Sequence, residues 1–435
     1  MLLSGFFKNC AGGVAPMLAL GAIPLVTAVG MAVDYSRANA TRSAMQAAGD
    51  ATALMLAKGA SSMNGTQLQT NASTYFQANF NRPETQNLLV NATYTQGATG
   101  YTLKVDAAAG VNTVFLGLIG YSQIPLSTTA TASWNNQKLR VALVLDNTGS
   151  MSSSGKMTAL KTATHNLLSQ LQSAATNNGD VYVSIIPFAK DVNVGASNYT
   201  QSWINWSGSS DTWDENNGVC SSTSYTNKSS CISHSKIWTP NNHNTWTGCV
   251  MDRDQNFDTT NTAPTSGGTL FPAEQYAAYC PTQLMGLTYD WTALNAKVDA
   301  MQPAGGTNQA IGLQWGFQSL TAAPFTIPTK DPNYQYKEIV ILLTDGLNTQ
   351  DRWYGNGSQH STSVDNRQQI LCNNVKAANI TIYTVQVNTD GDPTSTLLQN
   401  CASDSSKFFM LTSANQIITT FNTIGTSLKK LYLAK

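Results

Sequence analysis

The chain opens on an uncharged, mostly apolar stretch from Ala11 to Val33. That run is long enough to cross a bilayer as a single helix. Pro16 and Pro24 fall inside it, and membrane helices tolerate both Pro and Gly. Beyond it, Ala44, Ala47, Ala51, Leu54 and Met55 recur at near-helical spacing, which predicts that the helix continues from Asp34 to about Gly59. Residues 66–133 change character. A short polar helix is expected over Ser73–Phe80, followed by strands at Leu88–Tyr94, Tyr101–Ala107, Thr113–Leu118 and Ile124–Trp134.

From Arg140 onward, strands alternate with helices. The strands are Arg140–Asp146, Val181–Phe188, Glu338–Thr344, Ile380–Val387 and Lys407–Leu411. The helices are Lys156–Leu171, Trp291–Met301, Gln309–Leu320, Ser363–Ala378, Thr394–Ala402 and Asn415–Leu431. Runs such as VALVLD and IVILLTD are apolar on both faces, as central strands of a parallel sheet covered on both sides must be. The expected fold class is α/β, a doubly wound and mostly parallel sheet. An N-terminal transmembrane helix and a small pilin-like α+β region precede it. Residues 195–289 form an insertion without persistent period, holding four of the cysteines and five of the nine tryptophans. A loop of that length is functional, disordered or cross-linked, and its tryptophans are either a binding surface or a small core.

Charge and cysteines narrow the setting. Lys+Arg and Asp+Glu both number 24, and no basic block offers a phosphate-binding stripe, so nucleic acid is excluded as a partner. Cys10 lies before the apolar run and six cysteines lie after it, which suits an oxidising compartment on the far side. No C-x-x-C pair or H-E-x-x-H spacing suggests zinc. Cys372 and Cys401 flank one helix-strand-helix unit and are expected to pair, leaving Cys220, Cys231, Cys249 and Cys280 to bridge within the insertion. The implied organisation is a cytoplasmic tail (1–10), a span (11–33), a helix with a small sheet (34–135), and an α/β domain (136–435). The chain is expected to cross a membrane once, with its C-terminal part extracytoplasmic.

The candidate chemistry lies at strand ends. Asp146-Asn147-Thr148-Gly149-Ser150 closes the first α/β strand, Gly305-Gly306-Thr307 precedes a helix, and Asp345 closes IVILLTD. In an open α/β sheet these loops share the crevice at the carboxyl ends of the strands. Two carboxylates and three hydroxyls there supply hard oxygen ligands suited to Mg²⁺ or another divalent cation. Gly149 to Gly155-Lys156 imitates a P-loop, but it has one residue too many and Met157 follows the lysine. A nucleotide site is therefore rejected. With no G-x-S-x-G elbow and no candidate base nearby, no enzyme is expected.

Asp146, Thr148, Ser150, Thr307 and Asp345 resemble the metal-ion-dependent adhesion site of von Willebrand factor A (VWA) domains, D-x-S-x-S with a distant Thr and a distant Asp. The resemblance implies that the three hydroxyls contact the metal directly, the aspartates act largely through water, and an open position takes a carboxylate from a protein partner. The N-terminal segment is similar to that of TadG-like proteins of tight-adherence (Flp) pilus assembly through Gly30, Ala32, Asp34, Tyr35, Gln46, Asp50 and Leu54. That likeness implies pilus-assembly components as partners and a membrane-anchored assembly or adhesion factor. A purely structural pilus-base component, with the VWA domain as spacer, and a metal-dependent hydrolase are the alternatives.

Overall fold

The computed structural model describes residues 14–57, 59–97, 100–134, 137–274 and 279–433. The chain divides between residues 136 and 137 into two compact units. The expected tail at 1–10 lies outside the described residues.

In the first unit, helix α1 (Val14–Ala57) and helix α2 (Gly65–Asn79) pack on an antiparallel sheet of β1 (Thr85–Gly97), β2 (Gly100–Asn112) and β3 (Gln123–Trp134), in the order β1-β2-β3. Along β2 the burial alternates strictly, as a strand with one solvated face requires. Its Leu103, Val105, Ala107 and Ala109 meet Met45, Ala48, Ala53 and Leu56 of α1 and Phe76 of α2 in the core. Helix α2 starts on a capping box, in which Asn64 Oδ1 accepts from the Gln67 N–H and Gln67 Oε1 accepts from the Asn64 N–H. Thr113–Leu118, expected as a strand, is instead a loop ending in a 3₁₀ turn at Leu116–Ile119. Asp34 is the reason: its carboxylate accepts from the N–H groups of Val114, Phe115 and Leu116 at 3.0, 2.8 and 2.8 Å, taking the donors that a strand ladder would use. Burial works to raise the Asp34 pKa, but the three backbone donors prevail and hold it below the usual carboxylate value.

This anchoring falls at the end of the expected span. Among the described residues no helix is long and apolar enough to cross a membrane. A Cβ on Gly30 would stand 2.5 Å from the Phe115 ring, so from Gly30 onward α1 belongs to the folded unit. Residues 14–29 of the described helix precede that contact. Residues 11–13 of the expected span lie outside the described residues.

The second unit is a mixed α/β fold. Its eight-stranded sheet contains β4 (Gln137–Asp146), β5 (Val181–Phe188), β6 (Val192–Asn193), β7 (Cys249–Val250), β8 (Met285–Thr288), β9 (Gln335–Thr344), β10 (Thr381–Val387) and β11 (Phe408–Leu411). The order is β7-β6-β5-β4-β9-β10-β11, with β8 also on β5. Strands β5, β4, β9, β10 and β11 run parallel. The pairings that involve β6, β7 and β8 are antiparallel, and these short strands went unread in the sequence because two to four residues carry no period. Leu139, Val141, Leu143 and Leu145 of β4 face one core with α3 (Lys156–Ala174), α4 (Trp291–Asp299) and the C-terminal helix (Asn415–Leu433). Ala142 and Val144 face the other, with α5 (Gln309–Thr321), α6 (Thr362–Ala377) and α7 (Thr396–Cys401). Helix α5 lies close on the sheet because Gly312 and Gly316 leave room: a Cβ at either would fall 2.6 Å from Phe188 or Val144.

The insertion is ordered where described. Cys220 pairs with Cys231, Cys249 with Cys280, and Cys372 with Cys401. Trp213 and Trp246 are buried, and Trp203 and Trp206 pack beside them against the core that holds Phe271 and Trp315. Four of the five insertion tryptophans therefore extend the core on that face of the sheet, which Ala142 and Val144 also line, and form neither a separate small core nor an exposed surface.

Candidate functional site

Strand order reverses between β4 and β9, the neighbours from which the sheet grows in opposite directions. The carboxyl ends of both strands meet there, the usual ligand crevice of an open α/β sheet. Asp146 ends β4, fully buried. Its Oδ1 accepts from the Thr148 N–H at 2.7 Å, and its Oδ2 accepts from Thr344 Oγ1 at 2.7 Å and from the Asp345 N–H at 3.4 Å. The chain then turns through a 3₁₀ segment, Gly149–Ser152. That turn brings Thr148 Oγ1 within 3.0 Å of Ser150 Oγ, which donates to Asp345 Oδ1 at 2.6 Å. Four of the five expected residues thus form one hydrogen-bonded string across two strands.

Thr307 lies on the adjoining loop. The backbone joins that loop to the string: the Gly149 N–H donates to the Gly305 carbonyl at 2.9 Å and the Ala304 N–H to the Asn147 carbonyl at 2.7 Å. Gly305 occupies φ +84°, where glycine alone is unstrained. Thr307 itself is buried, and its N–H donates to Thr349 Oγ1 at 2.9 Å. Its hydroxyl is not part of the string that joins the other four.

The site also holds a cation that the motif did not disclose. Lys156, fully buried, places Nζ 2.6 Å from Asp345 Oδ2 and 3.2 Å from Asp390 Oδ2. Burial alone would lower the pKa of the lysine, but the two carboxylates together raise it. A signal for this was available. Lys156 stands on the same helical stripe as Leu160, Ala163, Leu167 and Leu171, all of them core positions. Burial, and then the neighbouring Asp345 carboxylate, push Asp146 up to about 7.

The donor set fits a hard divalent cation. Its members are carboxylate and hydroxyl oxygens, and Ser150 at their rim is exposed. Among the described residues no group of three or more His, Cys, Asp or Glu is arranged to hold a metal; this set has two carboxylates and depends on hydroxyls. The histidines are engaged elsewhere: His165 with Asn295 and Asp299, His243 with Asp214, His360 with Asp365, and His234 with Ser230. None is positioned as a base for the string.

The insertion reaches this region through Asp252, whose Oδ2 accepts from Asn308 Nδ2 at 2.8 Å and from the Arg352 N–H at 3.2 Å. Asn308 caps α5, the helix that follows Thr307. Burial, then the charges of Asp351 and Asp258, push Asp252 up to about 8. A carboxyl whose folded pKa is raised lends stability below its unfolded pKa of about 3.9, and that stability is lost as pH climbs through the folded value. The unfolding temperature is therefore expected to fall between about pH 4 and 8, and Asp252→Asn to flatten that fall. Equal slopes in thermal melts of variant and parent would refute the assignment.

Residues 12–60 match the family described as putative Flp pilus-assembly TadE/G-like. The N-terminal segment of this chain is thus TadE/G-like. No curated protein matches the chain. Among solved structures, the pilus adhesin SpaC from Lactobacillus rhamnosus GG is similar at 15% identity and a TM-score of 0.37, over 81% of this chain and 36% of that one. The vWF domain of the type V pili tip protein Mfa5 from Porphyromonas gingivalis is similar at 10% and 0.36, over 68% and 96%. Proximal thread matrix protein 1 from the mussel byssus, with a zinc-occupied MIDAS motif, is similar at 12% and 0.33, over 68% and 46%. The chain spans about a third of SpaC, and likenesses this weak carry no function across.

Proposed function

We propose that this chain is a pilus-assembly or adhesion factor of the bacterial cell envelope, anchored in the inner membrane through α1 with its second unit outside the cytoplasm. That unit is a VWA-type domain. Asp146, Thr148, Ser150, Thr307 and Asp345 hold a divalent cation, Mg²⁺ by the hardness of the donors, and the site binds a protein partner without catalysing a reaction. The observation that carries this reading is the string from Asp146 through Thr148 and Ser150 to Asp345, at the point where the strand order reverses. The bound ion would supply a Lewis-acidic anchor for a partner carboxylate. The chain's own residues do the rest: Thr344 and the Thr148 N–H orient Asp146, and the exposed Ser150 marks the open side. The TadE/G-like segment supports the pilus setting and pilus components as partners.

The test is calorimetric titration of Mg²⁺ into the full chain, with partner capture in Mg²⁺ and in chelator. The parent is expected to take up Mg²⁺ and to capture its partner in Mg²⁺ but not in chelator; Asp146→Ala is expected to take up no Mg²⁺ and to capture no partner in either. Equal capture under all conditions ends the metal-dependent reading. One observation favours a second reading, in which the domain is a rigid spacer. Lys156 already neutralises Asp345, so the string can stand without a metal. Under it, Asp146→Ala leaves pilus assembly intact.

A further inference from the structure

We infer that the loop between β2 and β3, residues 113–122, is a second membrane-contact element that sits in the bilayer interface beside α1. The inference rests on the anchored reading above, and it fails separately from it.

The position of the loop along α1 comes first. Phe115 packs at Gly30 and Asp34 holds the amides of Val114, Phe115 and Leu116. The loop is therefore pinned to the turn of α1 where the apolar sequence ends and Asp34 begins the polar helix. If α1 enters a bilayer, the boundary of the hydrocarbon falls at this level, because the uncharged apolar run ends at Val33 and Asp34 is the first charged residue after it. The unit cannot stand off from the membrane; this end of the sheet is drawn against it.

Its composition suits that place. From Thr113 to Gln123 there is no charged residue, and Val114, Leu118, Ile119 and Tyr121 are exposed by 57, 83, 51 and 67%. Isolated exposed apolar residues mean little, but a cluster on one loop does. Leu25, Val26, Val29, Met31 and Val33 of the adjacent helix are exposed as well; they point in several directions, as on a helix surrounded by an apolar medium. Tyr121 has the amphipathic ring enriched at headgroup depth. The loop also keeps its polar backbone occupied. Beyond the three N–H groups on Asp34, those of Leu118, Gly120 and Tyr121 donate to carbonyls of Phe115, Gly117 and Leu116. Contact with lipid then leaves few donors to desolvate.

The experiment places a thiol-reactive, environment-sensitive fluorophore at Leu118→Cys in a Cys10→Ser background. The full chain is reconstituted in phosphatidylcholine–phosphatidylglycerol vesicles carrying a brominated lipid. Gln96→Cys, exposed at the opposite end of β1, is the control. The expected result is a blue shift and quenching at 118 and neither at 96. If the chain floats with the vesicles but the label at 118 stays as wet as the control, the loop assignment is overturned and the anchor stands. A blue shift without lipid quenching also overturns it, since it assigns the loop to a protein neighbour. A chain that does not float overturns the anchor and the loop together.

Discussion

Asp345→Ala is expected to destabilise the second unit by about 3 kcal/mol or more, the range for removing one partner of a buried ion pair. The cause is the lysine it leaves behind. Both side chains of the Lys156–Asp345 pair have no solvent-exposed surface, and the remaining partner, Asp390, stands 3.2 Å away and is itself 59% exposed. Ser150 Oγ loses its acceptor in the same change. Lys156→Met introduced alongside Asp345→Ala removes the orphaned charge, so the double variant is expected to recover a large part of the loss. That non-additivity is what contacting residues produce. Urea denaturation of the parent, both single variants and the double variant provides the cycle. A neutral Asp345→Ala, or a double variant no better than the sum of the singles, would show that Lys156 is solvated and not locked onto the site.

Removing the Cys372–Cys401 bridge is the other large effect. It ties α6 to α7 with both sulfurs in the core, and it closes a loop with a sequence separation of 29. In the chain-entropy account, a closure of that length is worth roughly 3–4 kcal/mol. Cys372→Ala with Cys401→Ala is expected to lower the denaturation midpoint accordingly, and to make the unit insensitive to reductant at this position. If reduced parent and double variant both unfold at the oxidised parent's midpoint, the bridge does not form or does not constrain the unfolded chain. The Cys220–Cys231 bridge spans only 11 positions, so its removal is expected to cost less.

Much of the architecture follows from local patterning. A strand apolar on both faces, such as VALVLD, can be satisfied only between two layers, and β4 lies between two cores. Apolar residues at Ala44, Ala47, Ala51 and Leu54 placed the long helix but not its buried face: Leu54 is 65% exposed, and Met45, Ala48, Ala53 and Leu56 are the residues in the core. The motif residues Asp146, Thr148, Ser150 and Asp345 could be named in advance because strand ends bring chemistry to one rim whatever lies between them.

Other features depended on partners distant along the chain, to which a one-dimensional pattern is blind. Residues 113–118 have the β-branched and aromatic character of a strand, yet Asp34, some eighty positions away, claims their donors. The apolar run at 11–33 reads as one uniform span; only the Phe115 ring against Gly30 shows where the folded unit begins. Thr307 belongs to the motif by residue type, but Thr349 governs its backbone. Lys156 looked like part of a failed phosphate loop and is instead the counter-ion of Asp345. In each case sequence determined the chemical character of the position, through periodicity and side-chain type. Tertiary packing decided its partner, because hydrogen bonds and ion pairs form between groups brought together in space, at separations that local pattern does not encode.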